Sequence, residues 1–355
     1  MIATAQAPGK LYLAGEYAIT LPNQSAIVFA VDKYVTATVE ALDIQEIQLN
    51  SDQLGKFTVS VEQLEQVSFP DDWELVVRTV QVLYKYHTND VKNLSGIKVT
   101  LTSDLTFEGK KLGLGSSAAV VMSIIKAFHK LFDISATKEQ QFKLGATIML
   151  TLPYFDKGSM GDIAVATYGG MIVYRKFDDN FVKQLLQQHT DYQTIINTSW
   201  PYLEIKQLTW PSEWQLLVGW TGEVADTQKL LNAVSAEEQA KAKEMLALNT
   251  KYIIAEISLG INNKNYSLID ANIFYNLTFL MDYTQRVGIN YLTENLSNAI
   301  FTATLVGIPA KVSGAGGGDN VIAVTDDAEK ADQLRQNWRD EGIIPLPLKI
   351  ASLGE

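Results

Sequence analysis

The sequence predicts an α+β protein of two domains, and three observations carry that prediction. Segments with strand-like and helix-like periodicity are mixed in both halves of the chain. The length of 355 residues suits two domains of ordinary size better than one. Between the halves, from Asp178 to Trp200, the pattern weakens into polar residues, which suggests domains at 1–195 and 196–355.

The first 40 residues read as β structure, because Val28–Leu42 is rich in β-branched residues and alternates strictly over Val35, Ala37 and Val39. Helical spacing of Leu75, Val76, Thr79, Val80, Leu83 and Tyr86 predicts a helix over Asp72–His87. Ile97–Leu101 follows as a strand. After a glycine loop, Ser116 or Ser117 is expected to cap a helix whose apolar face is Val120, Val121, Ile124, Ile125, Phe128 and Leu131. Gly170–Phe177 reads as a strand. In the second half, Trp214–Trp220 is a strand, and helices are expected over Thr227–Ile261, Ser267–Val287 and near Leu292–Leu305. The end reads strand (Val321–Val324), helix (Ala328–Asp340), strand (Pro345–Ile350). There is no internal repeat and no low-complexity tract.

Composition excludes several classes. A chain that is 47% hydrophobic and 19% charged buries enough apolar surface to escape disorder. Its formal charge of −11 argues against a nucleic-acid surface but still allows a local basic pocket. With no cysteine, disulfides, thiolate metal sites and cysteine nucleophiles all drop out. The N-terminus lacks a basic region followed by a long apolar one, and no run reaches 18 apolar residues. The expectation is a soluble cytoplasmic protein with no membrane partner. Three histidines, two inside helix patterns, make a histidine triad or zinc site a poor fit, and no serine sits in GxSxG.

Glycine-rich segments hold the chemistry. They are APGKLYLAGEY (Ala7–Tyr17), KKLGLGSSAAVVMS (Lys110–Ser123), KGSMGDIAVATYGG (Lys157–Gly170) and KVSGAGGGDN (Lys311–Asn320). In the second, Gly113 and Gly115 let backbone amides turn inward, two serines add hydroxyls, and a helix N-terminus follows, which together make an anion cradle. A Walker A loop is excluded because Ser116 stands where the lysine belongs. The dinucleotide fingerprint fails because no strand directly precedes Gly113. A serine-capped turn that binds nothing is the bland alternative. Against it stand lysines at each cluster, Lys10, Lys110, Lys111, Lys157 and Lys311, as a polyphosphate pocket requires. The third cluster places Ser159 and Asp162 on a tight loop just before an apolar strand. Such an aspartate suits proton acceptance, Mg²⁺ binding or a plain Asx turn.

Taken in order, PGKLYLAGEY, GLGSSAAV and SGAGGGD resemble the three motifs of the GHMP kinase superfamily, from Pro8 to Asp319. Within it, GEY at Gly15–Tyr17, Lys111 and Leu112 before the second motif, GSxxD in the third cluster and GWTG within Val218–Thr227 resemble the phosphomevalonate kinase subfamily. The resemblance implies an N-terminal domain like ribosomal protein S5 domain 2, a C-terminal ferredoxin-like domain and a site between them. It further implies ATP and Mg²⁺ as cofactors and (R)-5-phosphomevalonate as the substrate, converted to the diphosphate in isoprenoid biosynthesis. As catalytic groups it implies Lys10 and Asp162. For the nucleotide it implies the loop Gly113, Leu114, Gly115, Ser116 and Ser117, with Ser117 also on the metal; Ala118, Lys110 and Lys111 are added to the nucleotide contacts, the two lysines as candidates for phosphate of donor or acceptor. The expected substrate contacts are Lys10 and Asp162, with Tyr17, Ser159, Thr227, Gly316 and Gly317 as further candidates. One departure from the pattern stands out. Mevalonate kinases carry a metal-binding glutamate eleven residues before the matching aspartate, and Thr151 occupies that position. Mevalonate kinase, diphosphomevalonate decarboxylase and a non-catalytic ligand sensor remain as alternatives, and the protein is expected to be a monomer or homodimer.

Overall fold

The computed structural model describes residues 1–65, 69–88, 96–223, 235–318 and 320–351. The first half runs β1 (Ile2–Ala14), β2 (Ser25–Leu42), β3 (Glu46–Ser51), β4 (Gly55–Ser60), α1 (Asp71–Tyr86), β5 (Gly96–Ser103), β6 (Thr106–Phe107), β7 (Lys110–Lys111), α2 (Ser116–Leu131), α3 (Lys138–Leu150), α4 (Gly161–Tyr168) and β8 (Met171–Arg175). The chain continues through α5 (Asp179–Gln187), α6 (Tyr192–Asn197), β9 (Glu204–Leu208), β10 (Gln215–Trp220), α7 (Ala236–Asn262) and α8 (Tyr266–Arg286). It ends with α9 (Glu294–Leu305), β11 (Ala310–Ser313), β12 (Asn320–Thr325), α10 (Ala328–Asp340) and β13 (Ile344–Leu346).

The long strand β2 organises the N-terminal sheet. β1 pairs along its whole length, β8 pairs with its first part from Ser25 to Phe29, and β5 pairs with its second part from Val35 to Leu42. β3 and β4 extend the sheet beyond β5, and β9 extends it beyond β8. Onto this sheet packs α2, apolar nearly all round: Ala119, Val121, Met122, Ile124, Ile125 and Phe128 are all fully buried. Such a helix belongs inside a layer, and each large side chain contributes about 1.5–3 kcal/mol by leaving water. The C-terminal sheet, in the order β11-β12-β10-β13, is antiparallel and carries α8, α9 and α10. Trp338 of α10 is fully buried there, its indole N–H donating to Ala299 O at 2.9 Å.

Several expectations need correction. The segment after Asp162 is the helix α4 and not a strand; its β-branched residues sit on a short buried helix. The polar stretch at 178–200 holds two helices, each capped by an aspartate: Asp178 accepts from the Asn180 N–H and Asp191 from the Thr194 N–H. β9 pairs with β8, so the first sheet continues past the expected boundary at 195/196. The chain end also returns to the first sheet, with Ala351 N–H donating to Ala30 O at 2.9 Å and Val31 bridging Ile350. No helix among the described residues is long and apolar enough to cross a membrane.

Candidate active site

Where β1 meets the head of α2 and the end of β11, three of the four glycine clusters converge and the fourth closes the wall. Tyr12 N–H donates to Ser313 Oγ at 2.7 Å, which clasps the first motif to the last across 301 positions of sequence. Asn320 reaches Leu112 O at 2.7 Å, tying β12 to the loop before α2. Beside the Tyr12–Ser313 tie lies a cavity of about 340 Å³, lined by Tyr12 and Gly314 among others. Lys10, Tyr12, Glu16, Ser159 and Asp162 supply its polar wall, Gly314 and Ala315 its rim, and Ile19, Met149 and Phe155 its apolar side.

The loop at 113–115 is shaped by its contact with Lys10. Lys10 N–H donates to Leu114 O at 2.8 Å, and Lys10 Nζ lies 3.4 Å from Gly113 O. Gly115 has φ 76°, and a Cβ there would lie 3.0 Å from two carbons of the Lys10 side chain, so glycine keeps the lysine in place. Gly115 also precedes α2, and no side chain caps that helix. This corrects the expectation that Ser116 or Ser117 caps it: both lie in the first turn, half-buried, beside the N–H groups that a helix start leaves without intrahelical partners. Leu114 and Ala118 are buried and contribute backbone only.

Asp162 sits in the first turn of α4, behind Met160 in the left-handed conformation at φ 62°. Ser159 Oγ accepts the Gly161 N–H at 3.3 Å and shares a hydrogen bond of 2.8 Å with the Tyr12 hydroxyl, while Tyr174 donates to Ser159 O at 3.0 Å. Burial, reinforced by the Asp162 carboxylate, pushes the Tyr12 phenol far above its ordinary range, so it stays protonated. Tyr17 adopts φ 58° and donates to Ala315 O. Its ring packs 5.2 Å from that of Tyr283, and burial raises its phenol as well.

The structure redistributes the lysines. Lys311 is fully buried and paired with Glu16, itself 3% exposed, and Gly314 N–H also approaches that carboxylate at 3.4 Å. Burial lowers the Lys311 ammonium's pKa while Glu16 opposes the shift. Lys311 is therefore committed to the fold and does not serve a polyphosphate. Lys110 and Lys111 are exposed on the β6–β7 hairpin, where Lys110 reaches Gly222 O at 3.3 Å and Phe107 meets Trp220 edge-on. Lys157 is exposed and does not line the cavity. Gly316 and Gly317 are also placed elsewhere: both are buried, Gly317 N–H donating to Tyr291 O at 2.9 Å, while Gly314 and Ala315 face the cavity. Thr227 lies outside the described residues. Thr151 caps the end of α3 with its hydroxyl bonded to Ile148 O at 2.6 Å. Tyr12, Glu16 and Ser313 are cavity or clasp residues that the sequence did not single out; their signal is contact across about 150 to 300 positions, which no local pattern carries.

Comparison with known proteins agrees with this architecture. Models of the GHMP kinases' N-terminal and C-terminal domains match residues 74–170 and 269–344. A phosphomevalonate kinase of Streptomyces sp. (strain CL190) is 30% identical, with 98% of this chain and 97% of that protein covered. A mevalonate kinase of Thermococcus onnurineus is 26% identical, with 100% of this chain and 98% of that protein covered. The Streptococcus pneumoniae phosphomevalonate kinase, solved in complex with phosphomevalonate and AMPPNP, superposes with a TM-score of 0.84 at 26% identity, over 98% of this chain and 99% of that one. The chain belongs to the GHMP kinases and, among them, to the phosphomevalonate kinases.

Proposed function

We propose that this protein transfers the γ-phosphoryl group of ATP to the terminal phosphate of (R)-5-phosphomevalonate, giving the diphosphate and ADP. One observation carries the assignment of roles: Lys10 and Asp162 face the same cavity, and Lys10 is packed against the loop that opens α2. The amides and hydroxyls of Ser116 and Ser117 hold the triphosphate, since a helix start offers N–H donors and the positive end of the dipole. Lys110 and Lys111 lie at the outer edge of the nucleotide path. Lys10 neutralises charge on the transferring group and on the acceptor oxygen.

The acceptor is a phosphate monoester, already ionised near neutral pH because its second pKa is about 6. Little general-base work remains. Asp162 accordingly orients the acceptor and shapes the field around it, with Ser159 and the protonated Tyr12 fixing the loop that carries it. The residues present fit a hard cation. Asp162 and the Ser117 hydroxyl are oxygen donors of the kind that hold Mg²⁺ together with phosphate oxygens and water. Thr151, bonded to its own helix, offers nothing, and the described residues contain no cluster of three or more potential metal-binding side chains. When bound, Mg²⁺ would neutralise phosphate charge. A coupled ADP-release assay tests the reading with phosphomevalonate, mevalonate and diphosphomevalonate as acceptors. Turnover with phosphomevalonate alone is expected; turnover with mevalonate alone, or CO₂ from the diphosphate, would reject it.

A further inference from the structure

At the other ends of the elements that build the active site lies a second cavity of about 870 Å³. Its walls come from the start of β1, the C-terminal turns of α2 and α4, and the start of α3. Three lysines line it, Lys126 and Lys130 from α2 and Lys138 from α3, and among the described residues no acidic side chain does. Among the described residues, none of the three makes an ion pair. Each instead donates to a backbone oxygen, Lys126 to Ala166 O at 2.7 Å, Lys138 to Tyr168 O at 3.3 Å and Lys130 to Thr4 O at 3.4 Å, and Lys138 also lies 5.9 Å from the centre of the Tyr168 ring.

The carbonyl contacts at Ala166 and Tyr168 complement the negative end of α4, which accounts for part of the cluster. They do not account for all of it. An ammonium has three donors, so most of the donors of this trio remain for solvent or a ligand. Two acids close in sequence to lining residues are engaged elsewhere, Glu139 with Lys143 at 2.6 Å and Asp32 with the Lys349 N–H at 2.8 Å. Burial, and then the neighbouring Lys138, push Lys126 down to about 8, as expected for a cation that lacks a counter-charge. In a chain with a formal charge of −11, a cavity whose described lining holds three lysines and no acid is a concentrated exception.

We propose that this cavity is a second anion site, binding a small phosphate-bearing ligand of two or more negative charges. Lys126 lies ten residues along α2 from Ser116, about 15 Å away, too far for one ligand's phosphates to span both sites. The walls nonetheless belong to the same three elements that carry Lys10, Ser117 and Asp162.

The test uses inorganic pyrophosphate as probe, titrated calorimetrically into the whole protein whose catalytic site is already saturated with AMPPNP and phosphomevalonate. One further binding event is expected. It should weaken by about tenfold or more in Lys126→Met/Lys130→Met/Lys138→Met, through loss of charge-assisted contacts, with kcat left within about twofold. Should the triple variant fold poorly, the exposed pair Lys130→Met/Lys138→Met gives the same readout. Excess ATP that displaces pyrophosphate would assign the site to nucleotides; ATP that does not displace it assigns the site to smaller anions. Absence of the second event, or equal binding by wild type and variants, would overturn the proposal.

Discussion

The glycine loop ahead of α2 and the one after β11 have similar composition, and each has a lysine close by. Their uses diverge. At Gly113–Gly115 the missing side chains leave backbone open to a ligand and let Lys10 pass alongside. At Gly316–Gly318 they admit the Tyr291 ring, and the associated Lys311 is buried against Glu16. One loop is a binding surface and the other a joint between the first and last motifs. Composition alone does not separate the two; burial does.

The largest effect expected from this contrast lies in the joint. Lys311→Met leaves the Glu16 carboxylate buried without its counter-charge, which costs about 3–5 kcal/mol. Glu16→Met/Lys311→Met removes both charges and should recover most of that loss, as read by urea unfolding. A double variant no more stable than Lys311→Met would show that the pair is not what holds the joint. In the binding loop the same kind of change acts on rate. Asp162→Asn and Lys10→Met should each lower kcat by roughly 10²- to 10³-fold while shifting stability little. A fully active Asp162→Asn variant would remove that residue from the machinery.

Glycine replacements sharpen the contrast further. Gly316→Ala forces a left-handed residue at φ 74° and a Cβ 2.3 Å from the Tyr291 ring, so a loss of about 2–4 kcal/mol is expected with kcat retained by the folded fraction. Gly115→Ala has a similar φ of 76°, but its obstacle is the flexible Lys10 side chain. Its stability should fall by only about 1 kcal/mol, while kcat falls about tenfold or more because the lysine is displaced. Thermal melts and steady-state kinetics on both variants decide whether the two loops differ as described.

Much of this was legible in the sequence, and what was not has physical reasons. The helices α1, α2 and α10 and the strand β2 carry clean periodicity and appear within a few residues of expectation. The ordered motifs put forward Lys10 and the Gly113–Ser117 loop, the KGSMGD cluster put forward Asp162, and Lys10 and Asp162 line one cavity. By contrast, α4 reads as a strand because Ile163, Val165 and Thr167 alternate; tertiary burial on both sides overrides the preference of β-branched residues. The helices α5 and α6 are short and partly exposed, so their polar composition resembles a linker. Lys311 looked like a phosphate ligand because its counter-ion lies 295 positions away, and such a pair leaves no trace in local sequence.

The smallest expected effect belongs to Lys110, which stands between the two uses of lysine. It is exposed, yet it bridges the β6–β7 hairpin to Gly222 O at 3.3 Å in the C-terminal half. An exposed contact of this kind contributes at most about 1 kcal/mol, so Lys110→Ala should barely alter stability. If the hairpin lies along the nucleotide path, the variant should raise the KM for ATP by a few-fold, leave the KM for phosphomevalonate unchanged, and lose that difference as salt screens the exposed charge. An increase confined to the phosphomevalonate KM would move the hairpin to the acceptor side of the cavity, and with it the orientation in which ATP enters.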